Sequence, residues 1–281
     1  MMKRKSLGWP GLMMALLVLA DSLVGGAVPC VLAAAGSKAG LKKGIILESV
    51  ATGPVRIVGG DSELATCRAC PASVFKLVIA WAGLETGVLR PDTRIPCRED
   101  RIATGICELG LRDALLRSSN AFFETVSGRI GREKLTEYAA RSGILDGSVP
   151  EHWLRGGTNA AVWGGDLLVT PSRVHDMMVR LANGTFASPG TNEPLVSAIE
   201  WPCDIPGMRI FGKSGTMRGA VWFAGFAREP DGRPRTVTVF LKGGLPRKSE
   251  AASLFFGRFG MKPPVLPFLE GIDKRVPPGG K

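Results

Sequence analysis

Apolar residues are spaced along the chain in two ways. Near the start, residues 45–50 and 55–58 are short runs rich in β-branched residues around the turn Thr52-Gly53-Pro54, which predicts a hairpin. From Val74 the spacing becomes helical, through Leu77, Val78, Ile79, Trp81 and Leu84, and it stops near Gly87. Pro71 sits where a first helical turn tolerates proline. Residues 91–107 carry turn residues and charges without a period and are expected to be loop. Residues 109–116 read as helix, Ser118-Ser119-Asn120 break the pattern, and 121–130 resume it with Phe122, Phe123, Val126 and Ile130 on one face. A further helix over 133–141 is closed by Gly143.

Residues 147–165 form a loop bearing glycine and tryptophan. Thr170-Pro171 predicts a helix start, with Thr170 as N-cap, Pro171 in the first position, a stripe of Val174, Met177, Met178 and Leu181, and Gly184 as stop. The last third returns to strands: 208–211 leading into 213–216, then 221–227 and 236–241 around Pro230-Asp231-Gly232, before a helix over 251–259. The order is strands, helices, strands, helix. It predicts an α+β fold: an antiparallel sheet from both chain ends, flanked by helices, with an inserted all-helical subdomain.

Composition fits a globular chain: 281 residues, 45% apolar and 22% charged. The net charge of +11 raises nucleic acid as a partner, but no Lys/Arg cluster is interleaved with aromatics and Tyr138 is the one tyrosine, so no nucleic-acid partner is expected. The charge fits an exported protein beside an anionic envelope. Lys3, Arg4 and Lys5 precede an apolar stretch over 12–20, and Ala33-Ala34-Ala35 is a small-residue site before Gly36. Residues 1–35 therefore read as a signal peptide, 36–265 as the folded domain and 266–281 as a Pro/Gly-rich tail. The expected location is the periplasm or cell envelope, with membrane contact only if the signal segment is retained. Asp21 argues against retention, at a cost of about 3 kcal/mol near a bilayer centre. Cys30 follows Pro29 and does not look like a lipid-attachment site.

Cleavage near Ala35 would leave Cys67, Cys70, Cys97, Cys107 and Cys203. In an exported chain Cys97 and Cys107, which flank a short polar loop, are expected to pair. The set Cys67, Cys70, Cys97 and Cys107 also resembles a four-cysteine zinc site, but the second pair is too widely spaced and the compartment oxidising, so no metal is expected.

The candidate chemistry begins at Ser73-x-x-Lys76. On a helix the two side chains share a face, which suits a nucleophile and its base. Such a spacing alone is common. Ser118-x-Asn120 and Lys213-Ser214-Gly215-Thr216 follow in order, and alone they read as a turn between helices and an edge-strand charge. A Ser-His-Asp triad is not supported: His152 and His175 are the two histidines, His175 falls inside a helix, and no Gly-x-Ser-x-Gly is present.

Together these elements resemble the penicillin-recognising serine enzymes, the penicillin-binding transpeptidases and serine β-lactamases, whose motifs are S-x-x-K, S-D-N or S-x-N, and K-T-G. Pro71-Ala72-Ser73-Val74-Phe75-Lys76 is similar to the nucleophile stretch of class D β-lactamases, and Arg117-Ser118-Ser119-Asn120-Ala121-Phe122-Phe123 to the second motif of the transpeptidases. Asp166-Leu167-Leu168-Val169-Thr170-Pro171 and Val221-Trp222-Phe223-Ala224-Gly225-Phe226 extend the resemblance. It implies a β-lactamase/transpeptidase-like fold and an acyl-enzyme on Ser73. Lys76 would be the base, Ser118 a proton relay, and Asn120 a holder of Lys76 and the substrate amide. Lys213, Ser214, Gly215 and Thr216 would bind the substrate, with the N–H groups of Ser73 and Thr216 as oxyanion hole.

Within the family the motifs divide. The length suits a class D-like β-lactamase hydrolysing β-lactams, the leading expectation. Asn120 points instead to a D-alanyl-D-alanine transpeptidase or carboxypeptidase acting on peptidoglycan stem peptides, because class D enzymes carry an apolar residue there. A non-turnover binder of β-lactams or stem peptides is the third reading. No cofactor is expected beyond carbamylation of Lys76 by carbon dioxide, which the class D resemblance allows and for which Trp153 and Trp163 are candidate supports. The class A deacylation glutamate has no counterpart; Glu151 lies in the relevant loop but in a different context.

Overall fold

Strands from both ends of the chain meet in one sheet. The computed structural model describes residues 33–34, 41–98 and 106–265, and the expected signal peptide, apart from Ala33–Ala34, and the tail over 266–281 lie outside the described residues. In chain order the elements begin with β1 (Ala33–Ala34), β2 (Gly44–Val50), β3 (Arg56–Gly60), α1 (Lys76–Glu85), β4 (Ile95–Arg98) and β5 (Ile106–Leu109). Then come α2 (Leu111–Arg117), α3 (Asn120–Ile130), α4 (Arg132–Arg141), α5 (Pro171–Ala182) and α6 (Pro189–Ala198). The chain closes with β6 (Glu200–Trp201), β7 (Arg209–Met217), β8 (Ala220–Arg228), β9 (Pro234–Lys242) and α7 (Lys248–Gly257).

The main sheet runs in the order β1-β3-β2-β9-β8-β7-β6. Its neighbours are antiparallel, save the short parallel contact of β1 with β3. The expected hairpin is β2–β3, with a register shift at Ile46/Leu47. Strands β8 and β9 are covered on both faces, which is why they read as near-continuous apolar runs. On one face Phe255, Phe256 and Phe259 from α7 and the residues after it pack with Ile210, Phe223, Val237 and Val239. On the other, Phe211, Trp222, Phe226 and Phe240 join α5 and the helical region in the larger core. Fully burying each of these aromatic side chains contributes roughly 1.5–3 kcal/mol, so the sheet is a rigid platform for whatever its edge carries.

Helix α5 starts as expected, with Thr170 accepting from the N–H of Arg173. It also carries His175, fully buried, with Nε2 2.9 Å from Ser49 Oγ and Nδ1 3.2 Å from Thr238 Oγ1. Burial lowers its pKa to about 3, so the ring is neutral and ties α5 to the sheet.

Two expectations are corrected. The segment after Pro91 is not all loop: β4 and β5 pair antiparallel, with Cys97 opposite Cys107. Each strand is four residues long, and its alternation (Ile95 and Cys97 inward, Pro96 outward) is too brief to stand out from the turn residues and charges around it. Helix α6 belongs to no expected element; Pro189 occupies its tolerated first turn and Pro194 lies inside it. The nucleophile segment opens as a 3-10 turn over Ala72–Phe75, and the α-helix begins only at Lys76. Among the described residues no helix is long and apolar enough to cross a membrane.

Candidate active site

The three motifs converge where the nucleophile turn, the α2–α3 junction and β7 meet. Each is placed by a local backbone device. Ala72, just before Ser73, has φ of 50°, and Ser118, which caps α2, has φ of 60°. Both are left-handed conformations that cost an alanine or serine about 1 kcal/mol or more, a kind of strain that gathers at functional sites. At Ser118 the chain reverses, and Ser119 then caps α3 by accepting from the N–H of Phe122 at 3.1 Å. This leaves Ser118 and Asn120 on either side of the cap, both turned toward Lys76.

Lys76 is fully buried. Its Nζ donates to the carbonyl of Ser118 at 2.6 Å and to Asn120 Oδ1 at 2.7 Å, and lies 3.4 Å from Ser118 Oγ. The Phe123 ring centroid is 5.7 Å away. Lys213 approaches from β7, donating to Ser118 Oγ at 2.9 Å and to the carbonyl of Ser214 at 2.7 Å. The hydroxyl of Ser118 thus stands between two buried amines. Burial first, and then the nearby charges of Lys76 and Lys248, hold the pKa of Lys213 well below the usual lysine value.

Strand β7 has an open edge beside the nucleophile. Its short neighbour β6 pairs only at Phe211 and Ile210. Gly212 donates its N–H to Ile199 and accepts from Trp201 Nε1 at 2.9 Å on that same edge. Main-chain groups alternate along a strand, so those of Ser214 and Thr216 also face this edge. A Cβ on Gly215 would lie 3.0 Å from the N of Ser73 and 3.1 Å from that of Val74. Glycine is therefore what lets β7 close on the nucleophile turn, and it brings the edge N–H of Thr216 toward that of Ser73.

The turn is braced from the other side. Trp222 Nε1 donates to the carbonyl of Cys70 at 2.9 Å, and a Cβ on Gly164, whose φ is 91°, would lie 2.3 Å from Pro71 Cγ. Arg218, in the β7–β8 turn, pairs with Asp166 at 3.3 Å. Phe123, the Trp222 indole and Arg218 were not singled out from sequence for these contacts, since none of the three spacings includes them. The two tryptophans named as carbamate supports make the following contacts. Trp153 Nε1 donates to Thr136 Oγ1 at 2.9 Å, and the Trp163 carbonyl accepts from the Cys70 thiol. Glu151 is exposed, 3.8 Å from His152. Among the described residues no group of histidine, cysteine and carboxylate side chains could hold a metal.

The profile of the penicillin binding protein transpeptidase domain matches residues 45–195, more than half of the 281-residue chain. The chain belongs to this family. The match takes in Ser73, Lys76, Ser118 and Asn120, and in this transpeptidase-domain protein the third motif, on β7, lies beyond it. No curated protein matches in sequence. Among solved structures, the class D β-lactamase YbXI from Nostoc is similar with a TM-score of 0.65 and 19% identity, covering 77% of this chain and 91% of its own. The class D β-lactamase from Sebaldella termitidis gives 0.63 and 20%, with coverages of 77% and 91%. That from Bacillus subtilis gives 0.64 and 18%, again with 77% and 91%. At these identities the likeness is one of fold.

Proposed function

We propose that this transpeptidase-domain protein forms an acyl-enzyme on Ser73, attacking the terminal amide of D-alanyl-D-alanine stem peptides, and that β-lactams acylate the same serine. The observation that carries this reading is Ser118 Oγ between Lys76 and Lys213. Two buried amines so close favour a state in which one is neutral, and a neutral amine is what can accept the serine proton.

In this account Lys76 takes the Ser73 proton as Oγ bonds to the carbonyl carbon. The negative oxygen that forms is met by the N–H groups of Ser73 and Thr216, an arrangement in which one donor is worth about 10²–10³ in rate. The carbon–nitrogen bond then breaks, and the proton passes from Lys76 through Ser118 to the departing nitrogen. Lys213 and the hydroxyls of Ser214 and Thr216 hold the substrate carboxylate, and the Asn120 amide holds Lys76 and the substrate's own amide. An acceptor amine or water would complete the cycle.

β-Lactam hydrolysis, first from sequence, takes second place. The complete burial of Lys76 beside Phe123 favours it, since a carbamate needs a neutral, dry lysine. The Ser118 carbonyl and Asn120 Oδ1 weigh against it, because both are acceptors turned to Nζ, the nitrogen to which the anionic carboxyl group of a carbamate would be bonded. The test is intact mass after benzylpenicillin, with and without bicarbonate, alongside release of D-alanine from a stem peptide. A one-to-one adduct lasting hours regardless of bicarbonate, with D-alanine release, supports the first reading. Rapid bicarbonate-dependent loss of the adduct supports the second.

A further inference from the structure

One end of the sheet collects positive charge around an exposed leucine. β2 begins there after Lys42 and Lys43, and β9 ends there at Lys242, whose N–H donates to the carbonyl of Lys43 at 2.8 Å. Arg247 binds the group together, donating to the carbonyls of Lys42, Lys43 and Lys242 at 3.2, 3.2 and 2.8 Å. The neighbouring Gly243 donates to Gly219 in the β7–β8 turn, which adds Arg218 to the same end. The carboxylates that touch this group, Glu250 and Asp166, already hold Arg247 and Arg218, so Lys42, Lys43 and Lys242 stand exposed. Leu245, which lies between Lys242 and Arg247 along the chain, has 61% of its surface exposed.

Two of these cations sit where a long side chain is disfavoured. Lys43 has φ of 53°, and Arg218 has φ of 49° in a two-residue hairpin turn with Gly219 at 78°. Glycine or asparagine would fit both positions without strain.

We propose that this end of the sheet docks on an anionic phospholipid surface, the lysines against headgroup phosphates and Leu245 in the interface. An apolar tip ringed by cations is the pattern of interfacial binding, in which charge and buried apolar area add. The nucleophile cleft, beside Thr216 on β7 and Arg218 in the turn after it, would then open next to the membrane.

The test is co-sedimentation of the full chain with phosphatidylcholine vesicles with and without phosphatidylglycerol. Any binding through the apolar stretch over 12–20 and the cations Lys3, Arg4 and Lys5 before it is common to all variants and cancels when they are compared. Beyond that shared part, anionic-lipid-dependent binding should fall about a hundredfold in Lys42→Gln/Lys43→Gln/Lys242→Gln, as fits three cations lost near the surface. It should fall several-fold in Leu245→Ser. It should change little in Arg129→Gln/Lys134→Gln/Arg155→Gln, an equal loss of exposed charge elsewhere. Equal losses in the two triple variants, or a Leu245→Ser variant that binds like wild type, would overturn the proposal.

Discussion

Lys76 Nζ donates to Asn120 Oδ1 at 2.7 Å, joining the first motif to the second across the floor of the cleft. If that bond positions the base, Asn120→Ala should slow acylation by penicillin about 10–100-fold with little change in Tm, since Asn120 is exposed. Asn120→Asp should slow it too, and move the rising limb of its pH profile upward, because an adjacent carboxylate favours the ammonium form. Stopped-flow acylation across pH checks both, and a profile unmoved in the aspartate variant would show that the contact does not govern the base.

Lys213 bears on stability as well as chemistry. It is buried, and burial together with Lys76 and Lys248 depresses its pKa. A base whose folded pKa is lowered binds fewer protons folded than unfolded, so its amine costs stability at neutral pH. Lys213→Met should therefore raise stability by about 1–2 kcal/mol while nearly abolishing acylation. Urea unfolding beside penicillin labelling reads both, and a destabilised Lys213→Met would contradict the argument.

His175 sets an acid limit. Burial lowers its folded pKa to about 3 from the usual histidine value of 6.5. The penalty for protonating it grows as pH falls from 6.5 toward 3, and stability is regained as pH rises. The full effect is about 4–5 kcal/mol at 1.36 kcal/mol per unit. His175→Asn should flatten the stability curve over that window. A variant as acid-sensitive as wild type would assign the sensitivity to other groups.

Cys97 and Cys107 face each other in the β4–β5 ladder. The Cys107 side chain lies outside the described residues, and the expected pairing stands on this register and on export. A bond closing so short a loop should stabilise by about 2–3 kcal/mol. Non-reduced peptide mapping of exported protein should find the linked peptides, and two alkylatable thiols would end the expectation.

How legible this was depended on the kind of signal. The two-ended sheet followed from apolar runs and turn residues, and the α5 start from Thr170-Pro171, because local sequence decides both. The site was legible as order and spacing: Ser73 with Lys76, Ser118 with Asn120, Lys213 with Thr216. Its bracing was not, because Trp222 on Cys70 spans 152 positions and Gly164 against Pro71 is a contact between loops. The polarity around Lys76 was only half legible. Asn120 announced one acceptor, whereas the Ser118 carbonyl turns to Lys76 through a left-handed backbone that a serine does not advertise.

The central claim is that Ser73 is the nucleophile, and labelling with mapping tests it most directly. Full-length protein is incubated with benzylpenicillin, its intact mass recorded, and the adduct located by peptide sequencing, for wild type and Ser73→Ala. The account predicts one adduct per chain on the peptide containing Ser73, and none in Ser73→Ala. Label at wild-type stoichiometry in Ser73→Ala, or an adduct mapped to another residue, would contradict it.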